Sequence, residues 1–116
     1  LSNDEISELV QKTSDGGAEI VGLLKTGSAY FAPSSAAATM VKSIVSDSNE
    51  VMPACSWVEG EYGINGVFLG VPTMLGLQGV TKVVEIELTS DELSQLNNAA
   101  DSVKNKVNEL NQLKTQ

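Results

Sequence analysis

Histidine and arginine are both absent from this 116-residue chain, and cysteine occurs once, as Cys55. Without histidine, the chain alone cannot build a Ser-His-Asp triad or a Cys/His zinc site. A single cysteine also excludes an intrachain disulfide, which fits a reducing compartment. We therefore expect no metal site, no triad-type nucleophile and a cytoplasmic location.

Basic residues are scarce as well. The chain has seven of them and fifteen acidic residues, so its net charge is −8. A chain without a Lys/Arg cluster displaces few phosphate counterions, so we expect no nucleic-acid partner. The same balance disfavours an anionic membrane surface, and no apolar run reaches transmembrane length. The simplest role of the acidity is solubility.

Aromatic residues make up only 4% of the chain, while hydrophobic residues make up 41%. The core must therefore be built from Val, Leu, Ile and Ala. A chain of this length fits one domain and buries enough surface for a real core.

The first segment has the three-four spacing of a helical face and predicts a helix from about Asn3 to Lys25. Ser2 and Glu5 form a capping box at its start. Gly16-Gly17 lowers helix propensity, which indicates either a kink or a close approach by another element or a ligand.

Pro33 suits the first turn of a second helix, which we expect to run to about Ser46. Its alanines give a slim surface, so we expect this helix to be largely buried. Thr89 and Glu92 predict the capping box of a last, long helix. We expect this helix to pack against the sheet rather than to form a coiled-coil seam. We expect the polar tail from Asn111 to Gln116 to fray.

Three β-rich stretches lie between the second and last helices, and Pro72 is expected at an edge, a bulge or a ligand-facing bend. The stretches are Val51–Val58, Val67–Val71 and Val80–Leu88. Short connections predict an antiparallel meander. The fold class is therefore α+β, with long helices packed on a three-stranded antiparallel sheet.

Other candidate chemistry is weak. Cys55 lies among apolar residues and is expected to be a buried, inert thiol. Glu59 and Glu61 flank a glycine, which favours a solvated turn over acid-base work. Glu19 is either a surface residue or a buried, paired carboxylate. The spaced glycines from Gly60 to Gly79 form turns rather than a phosphate cradle.

The most informative segment is the joint between the first two helices, which we define as residues 26–36. Glycine and small polar residues fill it, and a proline opens the helix that follows. Such a joint builds a narrow, backbone-lined pocket wall rather than core.

The ordered motifs of the chain resemble the C-terminal half of the NAD-dependent lactate and malate dehydrogenases. The matching segments are Asp15–Val21, Thr26–Pro33, Glu59–Gly63, Phe68–Pro72, Leu75–Val80 and Glu85–Leu88. The resemblance covers essentially the whole chain, and it implies a two-part protein. An N-terminal Rossmann domain would bind NAD, and residues 1–116 would be the substrate-site domain.

The resemblance also implies that the catalytic groups lie outside this chain. The family's histidine–aspartate pair, its arginines and its mobile loop are expected upstream of Leu1. Leu1 itself reads as a cut through a longer protein. We expect no catalytic residue within the chain and no activity from the isolated chain.

By the same resemblance, Gly27 and Ser28 are expected to line the pocket of a small dicarboxylate, and Phe31 to border the nicotinamide. The alternative for Ser28 is a helix-cap or turn hydroxyl. The motif favours malate over lactate, and the parent protein would be a dimer or tetramer. A non-catalytic module that pairs through its first or last helix is the remaining alternative.

Overall fold

A computed structural model describes residues 1–114 of the chain as three helices and a three-stranded antiparallel sheet, which confirms the predicted α+β class. The elements are α1 (Asn3–Leu24), α2 (Phe31–Val45), β1 (Glu50–Glu59), β2 (Asn65–Gly76), β3 (Gly79–Val83) and α3 (Ser90–Lys114), with a 3-10 turn at Glu61–Gly63. The chain divides into two compact units, the first of which is Leu1–Thr39, while the second begins at Met40.

Helix α1 begins at its predicted capping box. The Ser2 side chain accepts a hydrogen bond from the Glu5 N–H, and the Glu5 carboxylate accepts one from the Ser2 N–H. The helix runs unbroken through Gly16 and Gly17. A Cβ added at either glycine would meet no atom within 4 Å. Neither the predicted break nor a close approach is therefore found among the described residues.

Helix α2 contains Pro33 in its first turn, as predicted, but the expectation that this helix is largely buried is wrong. Of its fifteen residues only Ser43 is buried. A slim surface permits close packing but does not supply a partner. The helix ends at Val45. In the turn that follows, Asp47 has a left-handed φ of 49°, and the Ser48 N–H donates to the Ser43 carbonyl at 3.0 Å.

The sheet has the order β1-β2-β3, and both pairings are antiparallel. Strand β2 is thus central, with Trp57 opposite Phe68 and Cys55 opposite Gly70 on its β1 side. The register shifts next to Glu59, where β1 gives way to the turn. The antiparallel meander is confirmed, and β2 begins at Asn65.

Pro72 lies inside the central strand, which corrects the expectation of an edge, bulge or bend. It stands opposite Pro53, and its carbonyl accepts the Val84 N–H at 2.8 Å. In a strand, the N–H and the carbonyl of one residue point to the same side. The nitrogen of Pro72, which carries no hydrogen, is therefore on the side of Val84. The nitrogen of Pro53 is on the open edge of β1. Neither proline removes a β1–β2 hydrogen bond.

Strand β3 ends at Val83, five residues before the predicted end at Leu88. The reason is a side chain. The Tyr62 hydroxyl donates to the Val84 carbonyl at 3.1 Å and accepts from the Ile86 N–H at 3.1 Å. The Val84 carbonyl and the Ile86 N–H are therefore bonded to Tyr62. In a longer β3 they would be available to a neighbouring strand.

The core lies on one face of the sheet and is built almost wholly from aliphatic side chains, as the composition predicts. Helix α3 begins at the predicted Thr89–Glu92 capping box and packs on this face through Ala100, which is only 2% exposed. The core members are Val58, Ile64, Val67, Leu69, Val71, Val83 and Ala100. Of the tail predicted to fray, residues up to Lys114 are helical, and Thr115 and Gln116 lie outside the described residues.

Candidate functional site

A strained turn at Lys25 leads from the end of α1 into the joint. Lys25 has φ 61° and ψ −36°, and the Thr26 N–H donates to the Leu24 carbonyl at 2.6 Å. A hydrogen bond across one residue with positive φ is a γ-turn of the rare, strained kind. The chain therefore leaves the helix abruptly instead of unwinding through a further turn.

Gly27 follows with φ 101°, a backbone conformation that residues with a side chain rarely adopt. A Cβ at this position would collide with the Tyr30 hydroxyl and would lie 3.0 Å from two ring carbons of Tyr30. The φ of Gly27 therefore favours glycine, and any other residue at this position would also displace the end of the Tyr30 side chain.

Tyr30 is the third residue of the joint region with positive φ, at 31°. Its N–H is 3.4 Å from the Ser28 hydroxyl oxygen, which accepts from it, and its carbonyl accepts the Ser34 N–H at 3.0 Å in the first turn of α2. Strained residues of this kind cost about 1–3 kcal/mol each and concentrate at functional sites. Two such residues, Lys25 and Tyr30, lie within six residues, on either side of Gly27, for which a positive φ is not strained.

The structure places all three predicted site residues on the surface of this joint. Gly27 and Ser28 are exposed. Phe31 is the first residue of α2, and 89% of its surface is exposed. The Ser28 hydroxyl also serves the turn, since it accepts the Tyr30 N–H. The joint offers hydroxyl groups, backbone and two aromatic rings, but no charged side chain between residues 26 and 36. Such a wall can hydrogen-bond a small polar ligand, and it has no group suited to move a proton.

Tyr30 is the residue that sequence reasoning missed. Its ring folds back over Gly27, three residues earlier in the chain. No local sequence signal marks an aromatic residue for left-handed φ, because glycine, asparagine and aspartate dominate that region. Only the three-residue spacing between glycine and an aromatic residue in a joint hints at the contact.

The acidic candidates are structural. Glu59 accepts the Trp57 indole N–H at 2.6 Å, and Glu61 accepts the Glu59 N–H at 2.8 Å. This backbone hydrogen bond lowers the pKa of the Glu61 carboxyl below its ordinary value. Both carboxylates therefore accept local hydrogen bonds at or beside the turn. Glu19 is exposed on α1, so the buried, paired alternative is wrong.

Cys55 is exposed, which corrects the prediction of a buried thiol. Strand β1 alternates, and Ala54 and Ser56 take the buried positions on either side of Cys55. The outer face of the β1–β2 pair presents Cys55 opposite Gly70, beside the edge-to-face pair of Trp57 and Phe68, whose ring centroids are 5.1 Å apart.

One further concavity lies in the second unit, between the β1–β2 pair and α3. It encloses about 310 Å³ and is mostly apolar, with Lys104 and Asn108 as its polar members. Over residues 1–114, no cluster of three potential metal-binding side chains occurs. Within the same range, none of the helices combines the length and apolarity needed to cross a bilayer.

Comparison with known proteins identifies the family. Residues 1–114 match the lactate/malate dehydrogenase, alpha/beta C-terminal domain. A malate dehydrogenase of Geobacillus thermodenitrificans is 49% identical over 105 residues, which cover 90% of this chain and 34% of that protein.

Two solved structures agree with this match. The malate dehydrogenase of Salinibacter ruber superimposes with a TM-score of 0.94 at 38% identity, covering 99% of this chain and 37% of that one. The lactate dehydrogenase of Eimeria maxima, solved with NADH and oxamate, gives 0.92 at 30% identity, covering 99% and 36%. The chain thus spans about a third of the length of these relatives. It belongs to the lactate/malate dehydrogenase family and corresponds to the C-terminal domain of its members.

Proposed function

We propose that this chain is the substrate-side domain of an NAD-dependent malate dehydrogenase, which interconverts malate and oxaloacetate by reversible hydride transfer. Residues 1–116 form that domain, and an NAD-binding domain outside this chain completes the active site. The observation that carries the proposal is the exposed joint, with the strained residues Lys25 and Tyr30 at its start. The 49% identity to a malate dehydrogenase supports the choice of substrate.

Within the joint, Gly27 and Ser28 shape the dicarboxylate pocket. Gly27 adopts a left-handed backbone conformation that residues with a side chain rarely reach, and the Tyr30 side chain lies against it. The Ser28 oxygen already accepts the Tyr30 N–H, which leaves its O–H proton available for a substrate oxygen. Neither residue moves a proton, so the catalytic acid is supplied by a part of the protein outside this chain.

Phe31 is suited to pack against the nicotinamide of NAD. Its ring is 89% exposed and can pack against a flat, apolar surface such as a nicotinamide. The chain has no Gly-x-Gly-x-x-Gly motif to hold the pyrophosphate. NAD supplies the hydride chemistry when bound, and this chain contributes orientation and exclusion of water on one side only.

The direct test is oxaloacetate reduction, followed by the loss of NADH absorbance. The full-length protein is expected to show this activity, and the isolated 116-residue chain is expected to show none. Activity in the isolated chain would overturn the assignment of the catalytic groups to the other domain. A full-length protein that reduces no 2-oxo acid would overturn the dehydrogenase proposal itself.

A matched pair of glycine substitutions tests the placement of the pocket. Gly27→Ala in the full-length protein is expected to lower kcat/KM for oxaloacetate by at least about tenfold, because the joint must shift. Gly22→Ala is the control, since its Cβ would meet no atom within 4 Å and its φ is not positive. Equal, small effects of both substitutions would remove the joint from the active site.

Lactate dehydrogenase is an alternative, because the Eimeria maxima enzyme superimposes nearly as well as the malate dehydrogenase of Salinibacter ruber. The ratio of kcat/KM for oxaloacetate and pyruvate decides between the two activities.

A non-catalytic module is favoured by a separate observation, namely that α1 exposes Ile6, Leu9 and Val10. Such apolar faces suit a partner, and in the parent enzyme they suit the other domain or a second copy.

For the parent protein we propose a homo-oligomer in the cytoplasm. The unpartnered apolar positions of α1 support an oligomer, and the single unpaired cysteine suits a reducing compartment. Sedimentation of the full-length protein at several concentrations measures its oligomeric state.

A further inference from the structure

We propose that Asn65 is a site of spontaneous covalent modification, at which loss of ammonia converts the asparagine to aspartate or isoaspartate and weakens the adjacent end of the β1–β2 pair. The modification does not depend on the dehydrogenase activity. Two observations carry the proposal. Asn65-Gly66 is the only Asn-Gly pair of the sequence, and it lies exposed at the start of β2.

The reaction needs no enzyme. The backbone nitrogen of Gly66 loses its proton and bonds to the side-chain carbonyl carbon of Asn65, and the carboxamide nitrogen leaves as ammonia. Water then opens the cyclic imide at one of its two carbonyls. One opening gives aspartate in the normal backbone, and the other gives isoaspartate, in which the main chain runs through the side chain. A glycine favours ring closure because it has no side chain to crowd the attacking nitrogen and reaches backbone angles that other residues avoid.

Gly66 is the residue that the sheet leaves without a counterpart. Asn65 stands opposite Glu59, and the next paired residue of β2 is Val67, opposite Val58. The φ of Gly66 is 69°, and a left-handed glycine is typical of a β-bulge that fits one extra residue into a strand. Such a bulge disrupts the ladder locally. A Cβ added at Gly66 would meet no atom within 4 Å, so there is room for the Asn65 side chain to turn toward the nitrogen.

The Asn65 side chain is also unrestrained. Within residues 1–114 its carboxamide makes no hydrogen bond, whereas the carboxamides of Asn49 and Asn97 donate to backbone carbonyls at 3.0 Å and 2.8 Å. A bonded carboxamide must break that bond before its carbon can reach the nitrogen of the next residue. Asn65 has no such bond to break, and because it is exposed, water reaches the imide directly.

The modification adds a negative charge beside existing ones. Glu59 lies directly opposite Asn65, and Glu61 follows in the turn between the two strands. Like charges directly opposite each other in an antiparallel pair are destabilising. Both products therefore weaken this end of the sheet. Isoaspartate weakens it further, because its longer main chain disturbs the register with which β2 enters the sheet.

The test is incubation of the native full-length protein in heavy-oxygen water at mildly alkaline pH, followed by acidic digestion and mass spectrometry. Heavy oxygen enters a side chain only where deamidation occurs during the incubation. We expect position 65 to take up the label before any other asparagine, with Asn49 and Asn97 as internal controls. Asn65→Gln is expected to lose this early label, because the longer side chain closes a ring much less readily.

The effect on the sheet is measured by Tm. Protein that has been converted at position 65 is expected to unfold at a lower temperature than fresh protein. Asn65→Asp supplies the charge without the longer main chain, so its Tm is expected to lie between those of the converted and the fresh protein. Asn65→Gln is the matched uncharged variant and is expected to keep the Tm of fresh protein after the same incubation.

Three results would overturn the proposal. If position 65 takes up label no earlier than Asn49 and Asn97, the strand protects the Asn-Gly pair and no modification site exists. If Asn65→Gln takes up label there as early as the parent, ring closure is not the route. If the converted protein keeps its Tm, the modification does not weaken the sheet. The dehydrogenase proposal is tested separately by oxaloacetate reduction and is unaffected by these results.

Discussion

The Tyr62 hydroxyl donates a hydrogen bond to the Val84 carbonyl at 3.1 Å, where the backbone of β2 has no donor to offer. Pro72 stands opposite Val84 and accepts its N–H, but a proline cannot return the second bond of such a pair. A side chain from the turn before β2 thus completes the hydrogen bonding that a proline in a central strand leaves open.

Removal of this hydroxyl is predicted to weaken the second unit. Tyr62→Phe is expected to lower the free energy of unfolding by about 1–2 kcal/mol, because the Val84 carbonyl and the Ile86 N–H both lose their partner. Urea unfolding followed by Trp57 fluorescence measures the effect. Tyr30→Phe is the control and should change stability by less than about 0.5 kcal/mol. Equal losses in the two variants would contradict the assigned role.

The turn between β2 and β3 is held by a loop that precedes β1. Asp47 accepts the Leu77 N–H at 2.8 Å, and a Cβ on Gly76 would lie 2.8 Å from that same Asp47 oxygen and 2.5 Å from the Asn49 side-chain oxygen. Gly76→Ala should therefore cost about 1–3 kcal/mol of unfolding free energy, since the loop must be displaced.

Gly70→Ala is the control for that substitution. Gly70 lies on the same strand, and its added Cβ would meet no atom within 4 Å. We expect its unfolding free energy to stay within about 0.5 kcal/mol of the parent value. If alanine is tolerated as well at position 76 as at position 70, the close packing of the Asp47 loop is wrong.

Much of the fold could be predicted from the sequence because its signals are local. The capping pairs Ser2–Glu5 and Thr89–Glu92 each mark a helix start within four residues. The strand order follows from alternation and short connections. The end of β3 could not be predicted in this way, because it depends on Tyr62, more than twenty residues away. Cys55 was misplaced because apolar neighbours do not reveal which face of a strand a residue occupies.

The candidate site, like the fold, could be predicted from the sequence only in part. Glycine and proline mark residues 26–36 as a joint, so its location could be predicted. The γ-turn at Lys25 and the left-handed Tyr30 could not, because neither residue type favours positive φ by itself. What holds Tyr30 in place is a set of contacts to Ser28 and to α2, and these exist only once the joint has folded.

The start of α3 is predicted to respond to pH. The Thr89 N–H and hydroxyl both donate to the Glu92 carboxylate, at 2.8 Å each, and these bonds lower the pKa of that carboxyl below its ordinary value. A lowered folded-state pKa means that the stabilisation is complete above the unfolded value of about 4.3 and is lost as pH falls through the folded value.

Glu92→Gln should therefore reduce the loss of helical circular dichroism between neutral and acidic pH. The parent chain loses the charged cap across this range, whereas the variant has no such charge to lose. Glu87→Gln, an exposed position ahead of the cap, is the control and should leave the pH profile as it is in the parent. Identical profiles for Glu92→Gln and the parent would contradict a role for the charged cap.

The buried pair Ser56 and Thr73 supplies the sharpest test of the sheet's interior. The two hydroxyl oxygens are 2.9 Å apart, and their residues are 2% and 0% exposed. Thr73→Val is predicted to cost about 1–3 kcal/mol, because the Ser56 hydroxyl is left buried without its partner. Adding Ser56→Ala removes that stranded group, so the double variant should cost less than the sum of the two single variants.

Thr81→Val, at an exposed threonine of β3, is the control and should change stability by less than about 0.5 kcal/mol. Strict additivity of Ser56→Ala and Thr73→Val in urea unfolding would mean that the two hydroxyls do not depend on each other.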